Sequence, residues 1–239
     1  MSHVNKKHGF TLIELMLAMG FVSVLLIAVA MTVMQIANIY NRGVTLKDVN
    51  QAGRSLVSEL QRSINGNVRF NLADSKHYVS QDWGGRLCLG QYSFIWNYGV
   101  AISNTQTHPL NSSRNVYANS AVQLPEIRFI KILDPTDDYC VHPNRTIDPV
   151  GAVELLDAGE HSLAIHKFSI TTTDGATDMK TQQQLYNISF VIGTNDQDAL
   201  NDDPKLIKVC KAPNEAGSDV AYCSITQFNT LARAGNSAK

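Results

Sequence analysis

With 20 Lys and Arg against 21 Asp and Glu in 239 residues, the chain is nearly neutral and has no block of basic residues. That balance argues against a non-specific nucleic-acid binder, which needs a clustered cationic face to neutralise phosphates. Once the N-terminal apolar segment is set aside, roughly 175 residues remain, enough for one sizeable core.

The first nine residues, MSHVNKKHG, are polar, with Lys6 and Lys7 as their charged side chains. From Phe10 the sequence runs FTLIELMLAMGFVSVLLIAVAMTVM, and the 20 positions from Leu15 to Met34 carry no charge. A helix of that length rises about 30 Å, the thickness of a bilayer's hydrocarbon core. Lys6 and Lys7 are expected to hold the N-terminus in the cytoplasm, which exports the remainder. The apolar run exceeds that of a secretory signal, and no A-x-A-like cleavage site follows it cleanly. A plain signal anchor would share these features but leaves Glu14 unexplained. A carboxylate at the bilayer centre costs about 2.5–3.5 kcal/mol on insertion scales, so an acid inside this helix points to a partner.

The string Gly9-Phe10-Thr11-Leu12-Ile13-Glu14, with basic residues just before it and a long apolar helix after, resembles the class III signal of type IV prepilins and pseudopilins. The resemblance covers the first fifth of the chain. It implies cleavage by a membrane peptidase between Gly9 and Phe10 and N-methylation of Phe10. On that basis residues 1–9 are a leader peptide, 10–40 the transmembrane and filament-core half of a helix, 41–65 its amphipathic half, and 66–239 an extracytoplasmic β-rich domain. It also implies a single-pass protein of the cytoplasmic (inner) membrane that later joins an extracellular filament. Its partners would be the prepilin peptidase, the pilus assembly platform and other pilin subunits. Cleavage would create an ammonium on Phe10. Glu14, four residues on, lies on the same helix face within about 6 Å, and an ion pair there would offset the burial of the acid. The resemblance implies that the amine is often a neighbouring subunit's; the chain's own amine is the alternative.

Past the apolar run, Val49, Ala52, Leu56, Leu60 and Ile64 recur at steps of three and four, with Lys47, Asp48, Arg54, Glu59 and Arg62 largely off that stripe. The pattern predicts an amphipathic helix packed on the exported domain and ended by Asn65-Gly66-Asn67. Gly43, near Asn41, either loosens the helix between its halves or is absorbed in an unbroken rod, since a glycine costs only about 1 kcal/mol. Many major pilins break this helix at a proline, and here no proline precedes Pro109.

Beyond Asn67, short β-rich runs alternate with polar loops: VRFNL, RLCLG, YSFIWNY, EIRFIKIL, AVELL, SLAIHKFSITTT, LYNISFVIG and KLIKVC. In LYNISFVIG, Tyr186, Ile188, Phe190 and Ile192 alternate with smaller or more polar residues, as in a half-buried strand. Loop signals fall at Pro109 to Asn115, Asp134 to Asp138, His142 to Pro149 and Asn195 to Pro204, and no repeat or low-complexity linker marks a second domain. The expected class is α+β: a long N-terminal α-helix packed on an antiparallel sheet, the pilin-like architecture that the resemblance also implies.

Cys88, Cys140, Cys210 and Cys223 form no C-x-x-C pair, which disfavours zinc and thioredoxin-like chemistry. Exported, they read as two disulfides; in a reducing cell they would be free and buried. Four cysteines permit three pairings. Cys210 with Cys223 is expected because the intervening stretch contains Pro213 and Gly217 and can double back, and because many pilins carry a C-terminal disulfide loop; Cys88 with Cys140 then remains.

No G-x-S-x-G, HExxH or phosphate-binding glycine loop is present, and no catalytic residue, cofactor or metal site is assigned. His161 and His166 would point to opposite faces of a strand and could not share a metal. Asp137, Asp138 and His142 flank Cys140, which a disulfide would leave without nucleophilic character. Asn195, Asp196, Asp198, Asn201, Asp202 and Asp203 offer oxygens for Ca²⁺, although no bidentate glutamate follows at EF-hand spacing, and a solvated turn is the simpler reading. The functional expectation is a structural subunit, a minor pilin or minor pseudopilin. The size of the domain and its long loops favour a minor subunit over a major one. The alternatives are a filament-tip adhesin that contacts a surface or DNA through Trp83, Trp96 or Tyr98, a type II secretion pseudopilin, and a membrane-anchored enzyme with an uncut anchor.

Overall fold

A computed structural model of the chain describes residues 10–102, 127–143, 146–148, 150–156, 162–178, 181, 183–196, 198–201, 208–219 and 221–235. The chain forms two compact units, residues 1–41 and 42–239. One helix, α1 (Leu12–Asn65), passes through that boundary without interruption. Gly43 therefore does not loosen it: an added Cβ there would meet nothing within 4 Å, and the glycine's cost of about 1 kcal/mol is too small to break a long helix that contains no proline. Gly66 N–H donates to the Arg62 carbonyl at 3.1 Å, and α1 stops at the Asn-Gly-Asn signal.

In the second unit, α1 buries the expected stripe of Val49, Ala52, Leu56, Leu60 and Ile64, together with Thr45 and Gly53. The stripe faces two antiparallel sheets, whereas the sequence reading foresaw one. The first sheet runs in chain order through β1 (Tyr78–Gln81), β2 (Gly84–Leu89), β3 (Tyr92–Asn97), β4 (Phe129–Leu133) and β5 (Val153–Glu154). The second holds β6 (Leu163–Asp178), β7 (Gln183–Thr194) and β8 (Ile225–Ala234) in the same sequential order. A parallel bridge between Tyr98 and Ile165, with Gly99 N–H on the Ile165 carbonyl at 2.9 Å, links them. Gly90, at φ +71, supplies the left-handed turn between β2 and β3 that a side chain would resist.

Leu87, Leu89, Phe94, Trp96 and Phe129 of the first sheet share one core with the helix stripe and with Ile165, Phe168, Tyr186, Ile188, Phe190 and Ile192 of the second. The opposite face of the first sheet builds a separate core from Val79, Cys88, Ile95, Ile130 and Ile132 under Tyr139, Cys140 and Ile147. Tyr139 and Cys140 belong to a single-turn helix, α2 (Asp138–Val141). Being covered on both sides, β2 is buried along its whole length and shows no clean alternation.

Several expected strands resolve differently. VRFNL forms no strand; it is a turn-rich passage whose Phe70 stacks on Tyr186, ring centroids 4.3 Å apart, while Phe70 N–H donates to the Tyr186 hydroxyl at 3.0 Å. KLIKVC contributes only the single bridge of Cys210 to Leu200 among its described residues. The C-terminal strand β8 was not foreseen. Its inward positions are Phe228, Thr230, Ala232 and Ala234, small or polar residues apart from one ring, because α1 comes close there. A Cβ built on Gly53 would lie 2.1 Å from the Phe228 ring.

Candidate functional site

In the first unit, every side chain from Phe10 to Tyr40 is exposed, and α1 is a helix long and apolar enough to cross a membrane. The serine and threonine hydroxyls within this stretch are satisfied by the helix itself. Ser23 donates to the Met19 carbonyl at 2.8 Å and Thr32 to that of Ala28 at 2.9 Å, so neither presents an unpaired donor to hydrocarbon.

The sequence reading missed the role of Thr11. It precedes the first helical residue, and its hydroxyl accepts the Glu14 N–H at 3.3 Å, while Glu14 Oε2 accepts both the Thr11 N–H and the Thr11 hydroxyl at 3.2 Å. This is a capping box, in which two orphan groups of the helix start satisfy each other, and Thr-x-x-Glu is its sequence signature. Glu14 thus has a local structural role besides any pairing with an amine, and its negative charge also suits the positive end of the helix dipole. No described residue donates to Glu14 Oε1. Gly9, Lys6 and Lys7 lie outside the described residues; Phe10 is 86% exposed.

Both disulfides hold peripheral segments. Cys88–Cys140, with Cα atoms 6.1 Å apart, ties α2 to β2. The same junction is buttressed by Arg86, which is buried and donates to the Tyr139 carbonyl at 2.8 Å, and by Asp134, which accepts the Ser93 hydroxyl at 2.6 Å and the Asp138 N–H at 2.9 Å. Burial lowers the Arg86 pKa to about 10, against the opposing charges of Tyr139 and Asp134. Cys210–Cys223, with Cα atoms 5.8 Å apart, closes a loop that is pinned to Ala199 by Lys211 N–H at 2.9 Å and to the Asp198 carbonyl by Lys211 Nζ at 2.7 Å.

The remaining candidates do not converge on a reactive centre. His142 Nδ1 is 2.7 Å from Asp138 Oδ1 on the surface, but Cys140 is disulfide-bonded and offers no thiolate. His161 lies outside the described residues. His166 is partly buried at a β-bulge, where it is the residue without a partner between Ile165 and Lys167, and its Nε2 is 3.2 Å from the Thr194 carbonyl. Burial drives its pKa down to about 4, and the charges of Lys208 and Arg128 act in the same direction.

Several side-chain oxygens of the acidic loop are already engaged by the protein. Asp196 Oδ1 accepts Asp198 N–H and Asn201 Oδ1 accepts Val209 N–H, each at 3.0 Å, and Asn195 accepts from Arg128 and donates to the Gly99 carbonyl, both at 2.7 Å. Asp202 and Asp203 lie outside the described residues, and among those described no cluster of His, Cys, Asp or Glu is placed to hold a metal.

The aromatic contact surface requires correction. Trp96 is fully buried, stacked on Phe129 at 5.4 Å, because both faces of β3 are covered; Tyr98 is partly buried and donates its hydroxyl to the Phe168 carbonyl at 3.1 Å. Of the three, Trp83 is also only half-buried, so no exposed aromatic platform is formed by them.

Two partly buried charges, Lys131 and Glu154, went unnoticed in the sequence. Lys131 Nζ reaches Glu59 at 2.6 Å and lies 4.0 Å from the Tyr92 ring centroid, fastening β4 to α1. Burial alone would raise the Glu59 pKa, but the hydrogen bond and charge of Lys131 outweigh it and the net shift is downward. Glu154 gathers four backbone donors: Arg128 at 2.5 Å, Phe129 at 3.1 Å, Leu155 at 2.9 Å and Leu156 at 2.7 Å. Burial still raises its pKa overall, since desolvation exceeds what those donors recover. Neither residue had a periodic or motif signal that could have marked it.

Comparison with protein-family models, curated proteins and solved structures found no match.

Proposed function

We propose that this chain is a structural subunit, of the minor pilin or minor pseudopilin kind, of a type IV pilus-like filament. The observation that carries the reading is an exposed apolar helix whose first turn holds one acid, Glu14, four residues after Phe10, and whose continuation is buried on a β-rich, disulfide-bearing domain. An apolar helix in water needs a cover, and lipid before assembly followed by neighbouring helices afterwards supplies one at each stage. The prepilin peptidase frees the Phe10 amine, and the assembly platform passes the subunit from the cytoplasmic membrane into the filament. Glu14 keeps its capping bonds to Thr11 through Oε2 and offers Oε1 to a neighbouring subunit's ammonium.

Two substitutions separate capping from charge pairing. Glu14→Gln preserves the capping box, in which glutamine also serves at this position, but removes the charge. Glu14→Leu removes both while favouring insertion into lipid. With pairing essential, both variants are inserted and cut after Gly9 yet are depleted from sheared, purified filaments, because loss of one side of a buried ion pair costs about 3–5 kcal/mol. Wild-type incorporation of the glutamine variant with normal processing would leave capping as the whole role of Glu14 and remove the pairing mechanism.

A further inference from the structure

A cleft of about 500 Å³ lies in the second unit where α1 meets the loop closed by Cys210–Cys223. Among the described residues its charged lining is Arg42 and Lys211, with no acidic side chain, and its apolar lining includes Leu46, Val209, Pro213 and Ile225. Leu46 is 46% and Val209 51% exposed, so the cleft presents hydrocarbon to solvent beside two cations. No charged residue occurs from 15 to 41, and Arg42 is the first charge after that run. A span of about 20 residues starting at Leu15 ends near Met34, and one of about 25 ends at Ile39, which leaves Arg42 about 5–12 Å beyond the hydrocarbon edge. The headgroup layer on each side is about 5–8 Å thick, so the Arg42 side chain can reach lipid phosphates however the span is centred.

We propose that this cleft seats the headgroup of an anionic phospholipid from the exported-side leaflet while the chain is in the membrane. The Arg42 guanidinium grips phosphate oxygens in two-point fashion, Lys211 adds a second cation, and Leu46, Val209 and Pro213 cover the glycerol and first acyl carbons. Lys211 is already positioned by its bond to the Asp198 carbonyl, and the disulfide fixes the loop that carries it, so the site is largely formed before the lipid arrives. The occupant is a phosphodiester with an apolar tail; a free phosphate would meet the two cations but leave the apolar walls wet. The inference rests on the membrane-spanning reading of α1 and not on filament assembly.

The test is hydrogen–deuterium exchange of the full-length chain in lipid nanodiscs. Discs of phosphatidylcholine alone, discs doped with increasing phosphatidylglycerol, and phosphatidylcholine discs in 10 mM inorganic phosphate separate the sources of the anion. Phosphatidylglycerol is expected to slow exchange in residues 208–213 and 42–46, with no effect from inorganic phosphate. Arg42→Gln should raise the phosphatidylglycerol fraction needed for half-protection about fivefold, following the weight of one basic residue near an anionic surface. Because Arg42 is exposed, this variant keeps the loop intact, whereas Lys211→Gln also removes the Asp198 contact and serves as a second reading. Equal exchange in all discs, protection by inorganic phosphate alone, or an unchanged midpoint in Arg42→Gln would each overturn the proposal. None of these outcomes depends on cleavage after Gly9 or on filaments, so failure here is distinguishable from failure of the filament reading.

Discussion

His166 makes the stability of the domain depend on pH in a calculable way. A histidine held at about 4 in the folded chain, against an ordinary value of 6.5, stays neutral while its unfolded counterpart takes up a proton. Between those values the unfolded state binds more protons, so stability rises with pH through the window and is lost as pH falls from 6.5 towards 4. Integrating this single group gives a loss of about 2 kcal/mol at pH 5 and about 3 kcal/mol at pH 4 relative to neutral pH. His166→Gln keeps a donor near the Thr194 carbonyl and removes the titration. Urea denaturation of the detergent-solubilised chain, followed through the buried Trp96, should show the wild type losing that much more stability than the variant between pH 7 and pH 4. Carboxylates that titrate in the same range contribute equally to both proteins and cancel. Parallel stability profiles for the two proteins would refute the argument.

Three further outcomes are expected. The mature N-terminus is Phe10, N-methylated; mass spectrometry finding intact Met1 or Ser2 in membranes of a host with an active prepilin peptidase would reject processing. Gly53→Ala should destabilise by about 1–2 kcal/mol, since overpacking against the Phe228 ring outweighs the roughly 1 kcal/mol gain in helix propensity, and in a Phe228→Ala background the same change should become neutral or stabilising, a sign reversal readable by thermal unfolding. Replacing Cys210 and Cys223 by serine should cost about 3 kcal/mol for a loop of this length, measured as a lowered urea midpoint, with the spectrum of the remaining fold retained.

How much of this was legible depended on whether a residue's environment is written into its neighbours along the chain. The stripe from Val49 to Ile64 was legible because helical packing on a core repeats every three to four residues, and β7 because half-burial alternates. The same rule hid β8, whose core-facing Thr230, Ala232 and Ala234 are small only because helix residues from far earlier in the sequence come close to them. It hid the division into two sheets as well, since that depends on which edges meet at Tyr98 and Ile165. Trp96 looked available for contact because nothing local says that both faces of its strand are covered. The capping box was legible as Thr-x-x-Glu, but the apolar surroundings drew attention to the charge of Glu14 and away from its spacing to Thr11. Lys131 pairs with a residue 72 positions away, and Glu154 takes two of its four backbone donors from Arg128 and Phe129 at the start of β4, so neither had a sufficient local signal.

The placement of the two disulfides also bears on the order of maturation. Neither passes through the core that α1 shares with both sheets: Cys88 and Cys140 sit in the cluster on the far side of the first sheet, and Cys223 packs with Ala199 and Leu200. Closing the helix-bearing core therefore requires no oxidised thiol. A folding chain can dock its helix first and lock α2 and the C-terminal loop afterwards, with the cysteine pairs already brought close by the time they are oxidised. Reduction would loosen the periphery while leaving the helix in its groove.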